Sequence, residues 1–380
     1  MDFVKLTDVC DFQGGTQPPK KEWKKELTKG YVRMLQIRDF TQRERNNVEY
    51  VFDKPTLKKC TKEDVLIGRY GASIGKICTG LEGAYNVALI KTIPDKTKLD
   101  RNFLLYILKG SEFQHFISNI GSRAAQAGFN KTDLQGFDIP LPPLPVQQKI
   151  AAILDAADEL RQKDKALVAK YDELTQALFL DMFGDPVSNP KGWEKSETIN
   201  FCSSIVPGRD KPKSFTGNIP WVTTADLNHL GFTTKSKSDI GLTDKEIAEV
   251  RAKIIPKGSV IMTCVGELGI ITINETGMVV NQQLHAFVCS DRINNIFLMH
   301  SLSYQKSYMN KMASSTTVPY MNKTVSNNVP TICPPINLQN QFAERVKVIE
   351  EQKNIAQASA LKSEELFNSL LQKAFNGELV

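Results

Sequence analysis

From Val146 to Met182 the chain has neither proline nor glycine, and its apolar residues recur at alternating steps of three and four. Ile150, Ile153, Ala157, Leu160, Asp164, Leu167, Tyr171, Leu174, Leu178 and Asp181 mark the row, and eight of these ten are apolar. A period of 3.5 predicts a helix that pairs with another helix along one seam. Leu154, Val168 and Met182 widen the stripe, so the helix is expected to touch more than one neighbour. The run Pro140-Leu-Pro-Pro-Leu-Pro145 stiffens its approach, and Gly184 with Pro186 closes its exit. A second seam follows Pro334-Pro335: Phe342, Val346, Ile349, Lys353, Ala356, Ala360, Ser363, Phe367, Leu370 and Ala374, ending at Gly377. Small residues in its middle predict close approach to the bulkier first helix. A helix of about 37 residues is about 55 Å long, more than a domain of this size needs for its own packing.

Elsewhere the pattern is that of mixed α/β structure with short strands. Val65-Leu66-Ile67 and Val260-Ile261-Met262 read as strands that lead into glycine turns, at Gly71 and Gly266. Val87–Ile90 and Ala286–Val288 read as further strands, and 103–116 and 296–312 as helices.

These elements occur twice. At an offset of 192, Asn130-Lys131-Thr132 falls on Asn322-Lys323-Thr324, Pro142-Pro143 on Pro334-Pro335, Gln147 on Gln339 and Phe183 on Phe375. At 195, Val65, Gly71 and Asn86 meet Val260, Gly266 and Asn281; at 193, Gly15, Pro19 and Lys20 meet Gly208, Pro212 and Lys213. Two copies of one unit are expected, each a globular part followed by a helical tail.

Charge follows the same division. Residues 1–140 hold 23 Lys+Arg against 17 Asp+Glu, and 191–335 hold 15 against 11, whereas 141–190 hold 5 against 8 and 336–380 hold 5 against 6. Basic globular parts therefore alternate with acidic helices. Seven scattered cysteines, none in Cys-x-x-Cys, fit thiols in a reducing cytoplasm. Residues 1–6 lack the pattern of a signal peptide and no apolar run spans a bilayer, so a cytoplasmic protein with no membrane partner is expected.

Catalytic signatures are missing. Gly71-Ala-Ser-Ile-Gly75-Lys76-Ile77 has three residues where a phosphate loop has four, and Ile where Ser or Thr would reach magnesium. No Pro-Pro is flanked as in the base-gripping motif of DNA methyltransferases, and Pro94-Asp95 has no Asp/Glu-x-Lys near it. His115, His229, His285 and His300 share no metal-ligand spacing. The expectation is a non-catalytic chain with no catalytic residue, metal or bound cofactor.

Recognition features are present instead. Gly14-Gly15-Thr16-Gln17-Pro18-Pro19-Lys20-Lys21 and Pro207-Gly208-Arg209-Asp210-Lys211-Pro212-Lys213 are equivalent cationic Gly/Pro loops, suited to phosphate contact. Arg69-Tyr70 at a strand end would offer a guanine-reading guanidinium and an aromatic; the second copy has Thr263-Cys264 there, so the halves would read different bases. Asn130-Lys131 and Asn322-Lys323 lie in polar loops, where the asparagine either pairs with adenine or caps a turn.

In these features the sequence resembles the specificity subunits of type I restriction-modification systems. The resemblance rests on Pro140-Leu-Pro-Pro-Leu-Pro-x-Gln-Gln148, the long helix, Phe183-Gly184-Asp185-Pro186 with Asn189-Pro190-x-Gly192-Trp193, and the second copy ending Phe375-Asn376-Gly377-Glu378-Leu379. Copy two departs from it in Cys333-Pro-Pro-Ile-Asn337 and a single Gln339. The resemblance implies an α+β fold of two tandem mixed α/β target-recognition domains, 1–143 and 185–335. Two spacer helices, 144–184 and 336–380, would pair as an antiparallel coiled coil with pseudo-twofold symmetry. Each domain would read one half of a split double-stranded DNA site. Ile150, Leu154, Leu160, Leu167, Leu174, Leu178, Phe342, Val346, Ile349, Phe367 and Leu370 would form the coiled coil and dock two modification (methyltransferase) subunits. S-adenosylmethionine, ATP and Mg would reside on those partners and on restriction subunits. A non-catalytic coiled-coil scaffold, or a fragment of a fused restriction-methylation enzyme, are the alternatives.

Overall fold

The computed structural model describes residues 3–42, 47–123, 128–208, 210–314 and 318–379. They form two compact units, Met1–Lys165 with Ala358–Val380, and Ala166–Gln357. Each unit thus takes half of each long helix, a grouping that cuts across the four-part division expected from sequence.

In the first unit β1 (Cys10–Gly14), β2 (Leu66–Gly68), β3 (Ile77–Cys78) and β4 (Leu89–Pro94) form a sheet in the order β1-β4-β2-β3. All three pairings are antiparallel. The second unit repeats it with β5 (Cys202–Ile205), β6 (Phe232–Thr233), β7 (Val260–Thr263), β8 (Ile271–Asn274) and β9 (Leu284–Cys289), in the order β5-β9-β7-β8-β6. β6 is an added strand, parallel to β8. Smaller sheets complete each unit, including matched two-stranded pairs of 3–5 with 138–140 and of 194–197 with 330–333. Gln13 faces Lys91 where Ile205 faces Ala286. Pro207, and not Gly208, therefore takes the place of Gly15, one residue from the sequence pairing, because the loop beyond the strand differs in length.

Helices pack on these sheets. The single helix expected at 103–116 is two, α1 (Arg101–Lys109) and α2 (Ser111–Arg123), interrupted by extended Gly110. That expected at 296–312 is α4 (Asn295–Ser303) and α5 (Lys306–Met312), which follow the long helix α3 (Leu144–Phe183) in the chain. Asp100 caps α1 by accepting from the amides of Asn102 and Phe103, and Asn294 does the same for α4. The last long helix is α6 (Ile336–Asn376).

A buried glutamine locks each long helix to its unit. Gln147 accepts from the Asp100 amide at 2.8 Å and donates to the Lys98 and Pro142 carbonyls at 2.8 and 2.7 Å. Gln339 repeats this with Asn294, Arg292 and Pro334. Further along, Phe367 and Phe375 pack against Tyr106 and Phe103 in the first unit. Phe179 and Phe183 pack with Phe297 and Phe342 in the second.

Within each unit the two helical halves run antiparallel. Arg161 meets Glu364 at 2.9 Å and Asp164 meets Ser359 at 3.1 Å in the first unit; Asp172 meets Lys353 at 2.6 Å in the second. The α6 seam is as expected: Phe342, Val346, Ala356, Ser363, Phe367 and Ala374 are buried, and Ile349, Lys353, Ala360 and Leu370 half-buried. For α3 only every second expected position faces inward. Ile150 and Ala157 are buried and Asp164, Tyr171 and Leu178 half-buried. Ile153, Leu160, Leu167 and Leu174 are instead 39%, 45%, 43% and 49% exposed. Asp181 is exposed as well, and the inward row uses the C-terminal neighbours of these five, Leu154, Arg161, Val168, Thr175 and Met182. A 3.5-residue period alternates steps of three and four, and starting with the four instead of the three moves half the row by one position.

Candidate nucleic-acid interface

The end of β2 and the end of β7 are the same place in the two units. The Arg69 amide donates to the Ala88 carbonyl as the Cys264 amide donates to that of Gln283. Phe129 donates to the Arg69 carbonyl, and Met321 to that of Cys264. Asn86 donates to Leu35, and Asn281 to Val222. One residue on, Tyr70 bridges Gly128 where Val265 bridges Tyr320. The exposed aromatic therefore comes from opposite sides of the same bridge. Glycine is needed opposite Tyr70, because a Cβ on Gly128 would lie 2.5 Å from the tyrosine ring.

Arg69 is half-buried. Its Nε donates to the Phe129 carbonyl at 2.9 Å, and its guanidinium lies 5.1 Å from the Tyr70 ring centroid. The backbone anchor fixes the guanidinium beside an exposed aromatic, a geometry suited to a base edge.

The basic loops are less free than their sequence suggests. Lys20 pairs with Glu49 at 2.6 Å and stands 4.0 Å from the centroid of Trp23. Burial works against the Glu49 carboxylate, but hydrogen bonds from Lys20 and Gln36 hold its pKa below the usual range. Lys21 is exposed on the same short turn. Lys131 pairs with Asp11, and its ammonium holds that carboxyl below its usual range. Lys211, Lys213 and Lys323 are exposed, and Arg209 lies outside the described residues.

Both asparagines act as caps. Asn130 Oδ1 accepts from the Thr132 and Asp133 amides and the Thr132 hydroxyl. Asn322 Oδ1 accepts from the Val325 amide at the start of the short helix Lys323–Asn327. An adenine contact needs both the amide oxygen and the amide nitrogen. At Asn130 the oxygen is committed to the turn, which removes it as an adenine reader. The aromatic at Tyr320 was missed by sequence pairing; the signal was Tyr320-Met321 standing on Gly128-Phe129 ahead of the repeated Asn-Lys-Thr.

Among the described residues, no group of three or more His, Cys, Asp or Glu is placed to hold a metal ion, and no helix is long and apolar enough to cross a membrane.

Twin α/β units with matched loops, joined through paired helices, define a tandem recognition protein. The family model for the type I restriction modification DNA specificity domain matches residues 1–169 and 190–362, and the chain belongs to that family. It is 23% identical over 377 residues to the type I restriction enzyme MjaVIII specificity subunit of Methanocaldococcus jannaschii, covering 92% of this chain and 86% of that one. A putative MjaX specificity subunit of the same organism is 22% identical over 281 residues, 70% of this chain and 64%, just under two thirds, of that one. The crystal structure of the type I restriction-modification S subunit from M. genitalium shares the fold, with a TM-score of 0.63 at 13% identity, over 98% of this chain and 96% of that one.

Proposed function

We propose that this chain is the DNA sequence-recognition subunit of a type I restriction-modification complex. Each unit reads one half of a bipartite site, and the helix pair sets the spacing between halves. The observation that carries this is the repetition itself. One backbone site appears twice, each time with an exposed tyrosine, a lysine three residues after the bridge, and a cationic loop, but with different side chains at its centre. Identical placement with altered chemistry is what reading two unlike half-sites requires.

In this reading the chain performs no chemistry. Two modification subunits bring S-adenosylmethionine and the pocket for the target base, restriction subunits bring ATP and Mg-dependent cleavage, and the complex works in the cytoplasm. The exposed row Ile153, Leu160, Leu167 and Leu174 is the docking strip for partner helices, since a heptad-spaced apolar row on a helix seeks a second helix.

The test is methylation-sensitive sequencing of DNA from cells expressing this chain with its modification subunit. A single bipartite methylated motif is expected. Methylation that is absent, or independent of this chain, overturns the proposal.

A further inference from the structure

Arg69 differs from the other half-buried arginines around it. Arg33, Arg38 and Arg161 each meet a carboxylate, on Asp39, Glu49 and Glu364. The Nε of Arg69 is taken by the Phe129 carbonyl, and among the described residues nothing accepts from its Nη1 or Nη2, which stay open to solvent. Two donors on one fixed fork are thus left without an acceptor.

That fork lies over Gly14, at the end of β1. A Cβ on Gly14 would stand 3.3 Å from Nη1, closer than ordinary contact. The glycine is not needed for its backbone. Its φ lies outside the left-handed region, and it pairs with Ile90 within the ladder, a setting that favours β-branched residues. In the second unit Val206 follows Ile205 and takes the place of Gly14, and Cys264 takes that of Arg69. The two positions therefore change together: glycine stands with arginine in one unit, valine with cysteine in the other. By contrast, the lysine three residues after the bridge is present in both, as Lys131 and Lys323. What is kept suits the phosphates that both half-sites share, and what is exchanged suits the bases in which they differ.

We propose that Gly14 is a positioning residue for DNA reading: its bare backbone leaves the room in which Arg69 presents Nη1 and Nη2, end-on, to O6 and N7 of a guanine in one half-site. With Nε held by a carbonyl, these two groups are the donors that remain, and a guanine edge accepts two. A side chain at Gly14 would displace the fork, and a bidentate contact depends on its alignment. The inference rests on the DNA-reading function proposed above.

The experiment uses the full chain expressed with its modification subunit, and maps the methylated motif for wild type, Arg69→Ala, Gly14→Val and the double variant. Arg69→Ala should relax one G·C position of one half-site, lowering discrimination there about 5- to 150-fold, and Gly14→Val should relax the same position. In the double variant Gly14→Val should add nothing at that position, because it acts through the arginine. Relaxation by Gly14→Val at another position, or effects that simply add, overturn the inference. So does an unchanged motif in Arg69→Ala with only affinity and salt dependence reduced, which is the behaviour of a phosphate contact. A second measurement does not depend on how a variant folds: binding of the wild-type complex to duplexes with 7-deazaguanine, which lacks the N7 acceptor, at each G of the motif in turn should fall about 5-fold or more at one position. The same duplex should leave Arg69→Ala binding unchanged. If no position responds in wild type, the inference fails. Absence of any bipartite motif in wild type refutes the underlying function itself, whereas a bipartite motif indifferent to both single variants refutes the inference alone.

Discussion

The two apolar rows of α3 make opposite demands on mutation, and the structure says which row is which. Leu154 is fully buried and faces α6 and the first unit's core, whereas Leu160, Leu167 and Leu174 keep nearly half their surface in water. Cutting Leu154 to Ala should cost about 2–5 kcal/mol, the transfer term plus a cavity. Glutamine at the other three leaves the helix intact, because its propensity is close to that of leucine. A half-exposed leucine has gained only about half of the ~1.5–3 kcal/mol of full burial, so each change should cost ~1 kcal/mol or less in the isolated chain. The remaining half is realised only when a partner covers the row. Losing ~1 kcal/mol at three sites weakens association by about 3 kcal/mol, on the order of a hundredfold. Urea melts of the chain alone, set beside mass photometry of its assembly with the modification subunit, separate the two effects. Each single glutamine variant should melt near wild type, and the triple variant should assemble poorly. A single glutamine variant that unfolds as readily as Leu154→Ala, or a triple variant that assembles normally, would refute the assignment of rows.

Replacing Gln147 by Leu strands the Asp100 amide and the Lys98 and Pro142 carbonyls, at ~1–3 kcal/mol for each buried group, so a drop of about 3 kcal/mol or more in stability by urea denaturation is expected. Leu at Gln339 should do the same to the second unit. Burial pushes His285 and His300 down to about 4, so between pH 6.5 and 4 the unfolded chain binds protons that the folded second unit refuses. Stability there should fall as pH falls through that window, by about 3 kcal/mol at pH 5.5, while the first unit, whose His115 is exposed, holds; hydrogen exchange at pH 7.5 and 5.5 resolves the two. Lys21→Ala should flatten the slope of log affinity against log salt by about 0.9, and Lys20→Ala by less, because Lys20 already has Glu49; equal effects would show that the pair opens on DNA.

Much of the architecture was legible because it was written twice. Asn-Lys-Thr, Pro-Pro and a single glutamine at a common offset identified the repeat, and absence of glycine and proline identified the long helices. The role of that glutamine was not legible, since spacing does not reveal which carbonyls a fold leaves unpaired. The α3 seam was half legible: a row at Ile153, Leu160, Leu167 and Leu174 is as apolar as its neighbour, and no one-chain pattern tells an internal seam from a strip kept for another protein. Arg161 carries no apolar signal, so its inward position was not legible. Among the recognition residues, the loop lysines and Arg69-Tyr70 were visible as types, but Asn130 turned out to be bound to its own turn. Tyr320 became visible only once hydrogen bonds put Cys264 on Arg69.

The charged groups in the seam complete the picture of why these helices meet in one register. Alanine and serine at Ala356, Ala360 and Ser363 pack closely, but their short side chains offer few atoms that distinguish one register from another. Arg161 lies between Asp158 at 2.6 Å and Glu364 at 2.9 Å, with its guanidinium 4.4 Å from the centroid of Phe367, and Lys109 completes Asp158 at 3.3 Å. In the second unit Lys353 joins Asp172 and Glu350. Such pairs add little net stability over apolar residues of the same shape, because desolvation offsets attraction. Sliding the helices out of this register takes Glu364 from Arg161 and Asp172 from Lys353. With those carboxylates 34% and 55% exposed, solvent limits the loss to about 1 kcal/mol or less per pair. Present in both units, these pairs favour the observed alignment of α3 with α6 over a shifted one, a selectivity that further leucines in the seam would not add.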